Sequence, residues 1–114
     1  MENFENTNNL SEHEYMIYLK NFINKDVKYL TLILNTLINS DLHNKYIKIL
    51  IDDYESKIEF QSLMDISVEN GNLDIVKFLY YKNDQKLLWT DKCIISSISN
   101  GHKETVKWCF SIKV

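Results

Sequence analysis

The chain has 114 residues, of which 45% are hydrophobic and 12% aromatic, and its formal net charge is −3. This length is typical of one domain, and an apolar share of this size is typical of a globular chain. A weakly acidic chain offers no basic field for a phosphate backbone, so we do not expect nucleic acid as a partner.

The amino-terminal stretch MENFENTNN has acids and amides where a signal peptide would have basic and then apolar residues, and no run approaches 18 apolar residues. We therefore expect a soluble, cytoplasmic protein without a membrane segment. Because the cytoplasm is reducing, Cys93 and Cys109 are expected to be free, buried thiols, and a disulfide between them is the less favoured alternative. Ala, Pro and Arg are absent, a bias typical of AT-rich genomes.

The first part of the chain predicts a tail followed by three helices. Residues 1–10 are polar and lack periodicity, which predicts a disordered tail. The SEHE stretch that begins at Ser11 has the Ser-x-x-Glu pattern of a capping box, and an N-terminal capping helix is expected within 11–25. Asp26 is positioned to cap a second helix that runs to about residue 39, and KYIKILIDDY predicts a third.

Four further helices are predicted, in two pairs. IEFQSLMDISVEN predicts the fourth helix, which Gly71 ends because glycine adopts the left-handed conformation without a side-chain penalty. Asn72 is positioned to cap the fifth, LDIVKFLYY. Thr90 or Asp91 caps the sixth, DKCIISSISN, although its β-branched residues also fit a strand, and Gly101 separates it from the seventh, HKETVKWCFS.

The only two glycines are thirty residues apart, and they belong to a repeated pattern. Setting them in register aligns six further pairs: Ser67 with Ser97, Asn70 with Asn100, Asp74 with Glu104, Val76 with Val106, Lys77 with Lys107, and Phe78 with Trp108. The stretch NKYIKIL lies 29 residues before LDIVKFL and forms a more degenerate third copy. A lone helix pair cannot bury its apolar faces, whereas a stack of three can do so continuously.

These residues resemble ankyrin repeats, in which a first helix ends in a Gly-His turn and a second helix carries a run of valines and leucines. Gly101-His102 is the family dipeptide. The sequence of the motif is most similar to divergent ankyrin proteins of large DNA viruses of protists, or of AT-rich protists themselves. The resemblance implies an all-α, ankyrin-like helix-pair stack over 26–114, with units at about 26–55, 56–85 and 86–114. The first helix is then an extra capping element.

Two departures from the family pattern affect what the resemblance implies. The family's Thr-Pro-Leu-His opening is replaced in both copies, and the spacing of thirty is shorter than the usual repeat of about 33 residues. We therefore expect the β-hairpin between units to be reduced to a plain loop. Binding through that hairpin, a common mode in the family, is in doubt for this chain.

The sequence predicts no catalytic, metal or cofactor site. Its three histidines and two cysteines are dispersed, without the spacing of zinc ligands, and no nucleophile has an evident base beside it. His102 follows the turn glycine, where a structural hydrogen bond to the backbone is expected. The acids Asp52, Asp53 and Glu55 fit a solvated loop better than an acid-base pair.

Two surfaces are candidates for a protein partner. Tyr81 and Trp89 flank the loop between the last two units, and exposed aromatics of this kind dominate interfaces, although packing of Trp89 onto the neighbouring unit is the commoner outcome. The resemblance implies that the first helices line a concave binding groove, to which Asp65, Glu69 and Lys92 would contribute. A solvated helix face would have the same pattern.

The carboxyl end presents a further expectation. SIKV directly follows the last helix, whose apolar residues include Val106, Trp108 and Phe110, and repeat arrays need polar terminal units for solubility. The sequence thus predicts a non-catalytic protein interaction module. The alternative is a structural subunit of an oligomeric or viral assembly that associates through the carboxyl-terminal helix. A small enzyme built from helix pairs is a third possibility, which an ordered polar pocket would indicate.

Overall fold

A computed structural model describes residues 11–113, with Lys113 described through its backbone alone. Within that range the chain is all-helical and contains no β-strand. The all-α prediction is confirmed, also over 94–98, where a strand was the alternative to the predicted helix. The tail predicted at 1–10 lies outside the described residues.

The described part has seven α-helices, in the order and number that the sequence predicts. They are α1 (Glu12–Lys25), α2 (Lys28–Leu37), α3 (Asn44–Asp53), α4 (Phe60–Glu69), α5 (Leu73–Lys82), α6 (Asp91–Ser99) and α7 (Lys103–Lys113). Short 3-10 helices at Asp41–His43 and Glu55–Lys57 flank α3. Of the helices described here, none has the length and apolar character needed to cross a membrane.

Short polar side chains start three of these helices. The Ser11 hydroxyl accepts the Glu14 N–H at 3.1 Å, the Asp26 carboxylate accepts the Lys28 N–H at 3.0 Å, and the Thr90 hydroxyl accepts the Cys93 N–H at 3.4 Å. Each bond satisfies a backbone donor that has no partner inside its helix. These three caps confirm the sequence prediction.

Asn72 does not cap α5 with its side chain, contrary to the prediction. Its amide nitrogen donates instead to the Ile38 carbonyl at 3.0 Å and to Asn44 Oδ1 at 2.8 Å. Asn44 Nδ2 in turn donates to Asn72 Oδ1 at 3.0 Å. Both amides are buried. The side chain is therefore directed toward the preceding helices, because there it finds partners for buried polar groups that would otherwise be costly.

The chain divides into two compact units between Ile33 and Leu34, inside α2. In the first unit, α1 buries Met16 and Ile23 along one side, and the beginning of α2 buries Leu30. The Phe22 ring meets the Tyr29 ring edge-on, with centroids 5.4 Å apart.

The second unit contains two helix pairs, α4–α5 and α6–α7, preceded by α3. α4 packs on α5 and on α6, α6 packs on α7, and α3 packs on α5. The first helices of the two pairs, α4 and α6, are thus neighbours. α3 and α5, which contain the aligned stretches NKYIKIL and LDIVKFL, are also neighbours. The buried side chains of α4 and α5 are Leu63, Met64, Ser67, Val68, Ile75, Val76, Leu79 and Tyr80.

The two glycine turns have the same geometry. Gly71 and Gly101 have φ of 67° and 76°, in the left-handed region that a side chain disfavours. The N–H after each glycine donates to the carbonyl five residues back, Asn72 to Ser67 and His102 to Ser97, each at 3.0 Å. This is the Schellman arrangement that ends helices at a left-handed residue. The turn therefore recurs at the thirty-residue interval seen in the sequence.

Candidate functional site

The turn between α4 and α5 is covered by His102, the residue that follows Gly101 in the turn between α6 and α7. The His102 side chain lies directly over Gly71, so that a Cβ atom built on Gly71 overlaps the imidazole Cγ and Nδ1 and comes within 2.9 Å of the His102 Cβ. Gly71 is thus required both by its backbone conformation and by the space that His102 occupies. In this way the α6–α7 pair covers the end of the α4–α5 pair.

The equivalent position at the α6–α7 turn is open. Apart from the chain neighbours of Gly101, no described atom lies within 4 Å of a Cβ built there. An open cavity of about 340 Å³ adjoins this turn, and its walls are Ile98, Gly101, His102, Lys103, Val106 and Lys107. We call it the end cavity. At the α4–α5 turn, the equivalent space beside Gly71 is filled by the His102 side chain.

Burial differs in the same way between equivalent residues of the two pairs. Val68 and Tyr80 are 0% and 7% exposed, whereas their counterparts thirty residues later, Ile98 and Phe110, are both 53% exposed. Val76 is fully buried and its counterpart Val106 is half-buried. We use the name end face for the surface formed by Ile95, Ile98, Gly101, Val106 and Phe110. In α4–α5 the corresponding surface is covered by a helix pair, and in α6–α7 it is uncovered among the described residues.

The end face has a basic rim. Lys103 and Lys107 border the end cavity and are exposed. Residues 91–113 include four lysines and two acids, a net charge of +2 in a chain whose total is −3. An apolar surface with this rim favours an occupant that is apolar at its centre and acidic at its edge.

Of the two predicted aromatic anchors, the structure exposes only one. Tyr81 is exposed, whereas Trp89 is 4% exposed, so the prediction of Trp89 as an exposed anchor is wrong. The loop before α6 is tied to α4, because Gln61 Nε2 donates to the Leu88 carbonyl at 2.7 Å. Trp89 consequently packs inward, with its ring 6.0 Å from that of Trp108.

The groove residues Asp65, Glu69 and Lys92 are in different situations. Asp65 Oδ1 accepts the Thr90 N–H at 3.2 Å and the Gln61 amide at 3.0 Å, and so helps to hold the loop before α6. The Cys93 thiol lies 3.7 Å from Glu69 Oε1, as a weak donor. Lys92 is exposed. Two of the three side chains thus serve the packing of α4 on α6, which leaves them less available to a partner.

A second groove, of about 390 Å³, lies between α3 and α5. Lys48 pairs with Asp74 at 2.9 Å and Lys82 pairs with Asp52 at 2.7 Å, and both ammonium groups lie within 6 Å of the Phe78 ring centroid. The hydrogen bond that the Lys82 ammonium donates to the Asp52 carboxylate raises the pKa of Lys82. Lys48 and Lys82 are thus neutralised by carboxylates, and Lys77, which also lines the groove, is exposed.

Cys93 and Cys109 are both buried and form no disulfide, and burial raises the pKa of the Cys93 thiol, which lowers the fraction of reactive thiolate. Among residues 11–113, no group of three or more His, Cys, Asp or Glu side chains is placed to hold a metal ion. The His102 N–H donates to the Ser97 carbonyl, and its ring covers Gly71.

Comparisons of the chain with protein-family models, with curated proteins and with solved structures found no match. The sequence indicated an uncapped last helix. It did not identify Ile98 or the end cavity as parts of that surface, although Ile98 could have been found by its alignment with Val68.

Proposed function

We propose that this protein is a non-catalytic protein interaction module of ankyrin-like type, and that the end face is its partner surface. The contrast in burial between Val68 and Ile98 carries the proposal. The same position in the same kind of helix pair is fully buried where a following pair exists and half exposed where none is described.

The ankyrin-like part of the proposal rests on the repeated turn. Two helix pairs with left-handed glycines and matching hydrogen bonds recur at an interval of thirty residues, and their first helices are neighbours. Stacks of this kind bury one continuous core by contacts between adjacent units, and their surfaces are used for binding rather than for chemistry.

A second candidate function is that of a structural subunit in an assembly, in the cytoplasm of a cell or of a virus-infected host. The exposed Ile98 and Phe110 favour it too, because exposed apolar residues of this size are typical of interfaces. The two functions differ in the occupant of the end face, which is a foreign protein in the first and another subunit in the second.

Affinity capture with three matched variants tests the proposal. Phe110→Asp places a charge on the end face, Leu42→Asp places the same charge at an apolar residue that is 84% exposed elsewhere, and Tyr81→Ala tests the other predicted surface. We expect Phe110→Asp alone to lose the proteins that the wild type captures, including further copies of the chain. Equal capture by wild type and Phe110→Asp would contradict the assignment of the end face.

A further inference from the structure

The packing of α5 on α3 shows how one unit receives the next helix. Asp74 lies in the first turn of α5, where a carboxylate suits the helix dipole, and two donors of α3 bind it. Lys48 Nζ donates to Asp74 Oδ1 at 2.9 Å, and Asn44 Nδ2 donates to Asp74 Oδ2 at 3.0 Å. Asn44 and Lys48 are four residues apart, so they share one face of α3. An acid in the first turn of the incoming helix is thus held at both of its oxygens.

The end face has a lysine at each of these two donor positions. The alignment of the repeated stretches places Lys103 at the position of Asn44, and Lys107 at the position of Lys48. Both lysines are exposed, and both border the end cavity. In α5 the first of the two positions is occupied by Leu73, which has no side-chain donor. Of the three equivalent pairs of positions, only the pair in α7 therefore consists of two cations.

The residue two positions before the acid reaches back onto the preceding unit. Asn72 donates to the Ile38 carbonyl at 3.0 Å, and the His102 ring lies over Gly71. The equivalent space beside Gly101 is the end cavity, which is open in the described part of the chain. Because Gly101 has no side chain, this space has room for a ring such as that of His102.

An aromatic contact completes the pattern. The Trp108 ring meets the Tyr80 ring edge-on, with centroids 5.3 Å apart. Trp108 lies four residues after Glu104, the acid in the first turn of α7, so the two residues share a helix face. Phe110 has the position of Tyr80 at the end face, and it is exposed. It can therefore receive an aromatic side chain in the same way.

We propose that the end face binds a helix of a different protein, which has a carboxylate in its first turn held between Lys103 and Lys107. A ring two residues before the carboxylate enters the end cavity, and an aromatic residue four residues after it packs on Phe110. This inference rests on the proposed function, since it names the chemistry of the partner. In a folded copy of this chain, α7 does not supply that helix, because His102 and Trp108 already contact their own α4–α5 pair.

Selection of helical peptides from a phage-displayed library against the full chain tests the proposal. A parallel selection uses Lys103→Glu with Lys107→Glu, which changes only exposed charges and places an acid at the first residue of α7, where it suits the helix dipole. We expect the wild type to enrich peptides with an acid two residues after a ring and four residues before an aromatic residue. The variant should instead enrich lysine or arginine at the position of the acid, because opposite charges select each other.

Fluorescence anisotropy of one enriched peptide then compares single variants of the full chain. Lys107→Glu should weaken binding by roughly tenfold or more, and a peptide with lysine in place of its acid should recover much of that loss. Lys77→Glu is the matched control, because it makes the same change at the aligned, exposed lysine that lines the groove between α3 and α5, and it should leave binding nearly unchanged. Phe110→Asp should abolish binding, and added salt should weaken that of the wild type.

Three other outcomes would overturn the inference. The first is a selection that yields no peptide with a preference for the wild type over Phe110→Asp. The second is enrichment of peptides without the acid, and the third is equal binding of an acidic peptide to the wild type and Lys107→Glu. If Phe110→Asp still loses the cellular proteins that the wild type captures, the proposed function stands without this occupant. If Phe110→Asp captures the same proteins, both fail.

Discussion

The contact between His102 and Gly71 predicts that two similar glycine substitutions differ in cost. Gly71→Ala and Gly101→Ala place the same methyl group at left-handed positions with φ of 67° and 76°. At Gly71 the new Cβ overlaps the imidazole of His102, whereas at Gly101 it meets open space. Gly101→Ala is therefore a matched control for the cost of the backbone conformation alone.

The expected losses of stability follow from the cost of the left-handed backbone and the cost of the overlap with His102. A left-handed alanine costs roughly 1–2 kcal/mol, of which about 0.4–1 kcal/mol is offset because the unfolded chain also loses freedom. We thus expect Gly101→Ala to lower the free energy of unfolding by about 1 kcal/mol. Gly71→Ala carries a further overpacking cost of roughly 1–3 kcal/mol, for a total of about 2–4 kcal/mol.

Urea denaturation followed by tryptophan fluorescence measures this difference, since Trp89 and Trp108 lie in the same compact unit as both turns. In a double-mutant cycle, His102→Gly removes the three atoms nearest to the new methyl group, so the pair with Gly71→Ala should show a coupling of about 1 kcal/mol or more. His102→Ala should relieve less, because its Cβ remains. Equal losses for the two glycine variants would refute the placement of His102 over Gly71.

Three further substitutions have defined outcomes. Asn72→Leu should lower the free energy of unfolding by about 1–3 kcal/mol in a urea titration, because Asn44 Oδ1 and the Ile38 carbonyl lose the amide that donates to them, although Asn44 Nδ2 still donates to Asp74, and the added change Asn44→Leu should recover part of the loss. Asp84→Gly should raise the free energy of unfolding by about 1 kcal/mol, because Asp84 ends α5 at a φ of 56° that glycine adopts without strain; an unchanged value would contradict that strain. Lys82→Met should cost less than about 1 kcal/mol near neutral pH, because Asp52 is exposed. In the folded protein the pKa of Lys82 is raised above its ordinary 10.5. The stability difference between the wild type and Lys82→Met should therefore persist below pH 10.5 and disappear as the pH rises through the raised pKa. Urea titrations of both proteins at a pH below and a pH above that pKa test this.

The helices and their ends were predictable because local physics determines them. Hydrophobic periodicity and short polar caps define where each helix begins, and the left-handed glycine defines where α4 ends. Even the run of β-branched residues in α6 is helical. Its buried residues Cys93, Ile94 and Ser97 recur at helical spacing, which suits packing against α4 and α7. Pattern outweighs intrinsic strand propensity at this site.

The positions of individual polar and aromatic side chains were not predictable in the same way. Asn72 has the residue type and position of a helix cap, but distant amide partners provide better hydrogen bonds for a buried side chain. Trp89 lies in a loop that the sequence shows only as apolar, and the hydrogen bond from Gln61 that ties this loop to α4 comes from 27 residues away. Contacts across such separations leave no local signal.

The candidate surface was predictable in part. Apolar residues at the carboxyl end indicated an uncovered helix, but burial differs among them, because Cys109 faces the core and Phe110 does not. Only the comparison of equivalent positions in two folded helix pairs separates the residues that a following unit covers from those that belong to the core. The thirty-residue alignment alone does not distinguish these residues, because their burial depends on how the folded units pack.

The central claim, that the end face is a binding surface because its residues are buried wherever a following helix pair covers them, is tested most directly by supplying such a pair. A second copy of residues 82–111 inserted after Ser111 continues the thirty-residue pattern and places a new imidazole at the end cavity. Covering the exposed parts of Ile98, Val106 and Phe110 should raise the free energy of unfolding by roughly 3 kcal/mol, in a single transition, as measured by urea denaturation. An unchanged free energy, or a separate transition for the added residues, would contradict the claim.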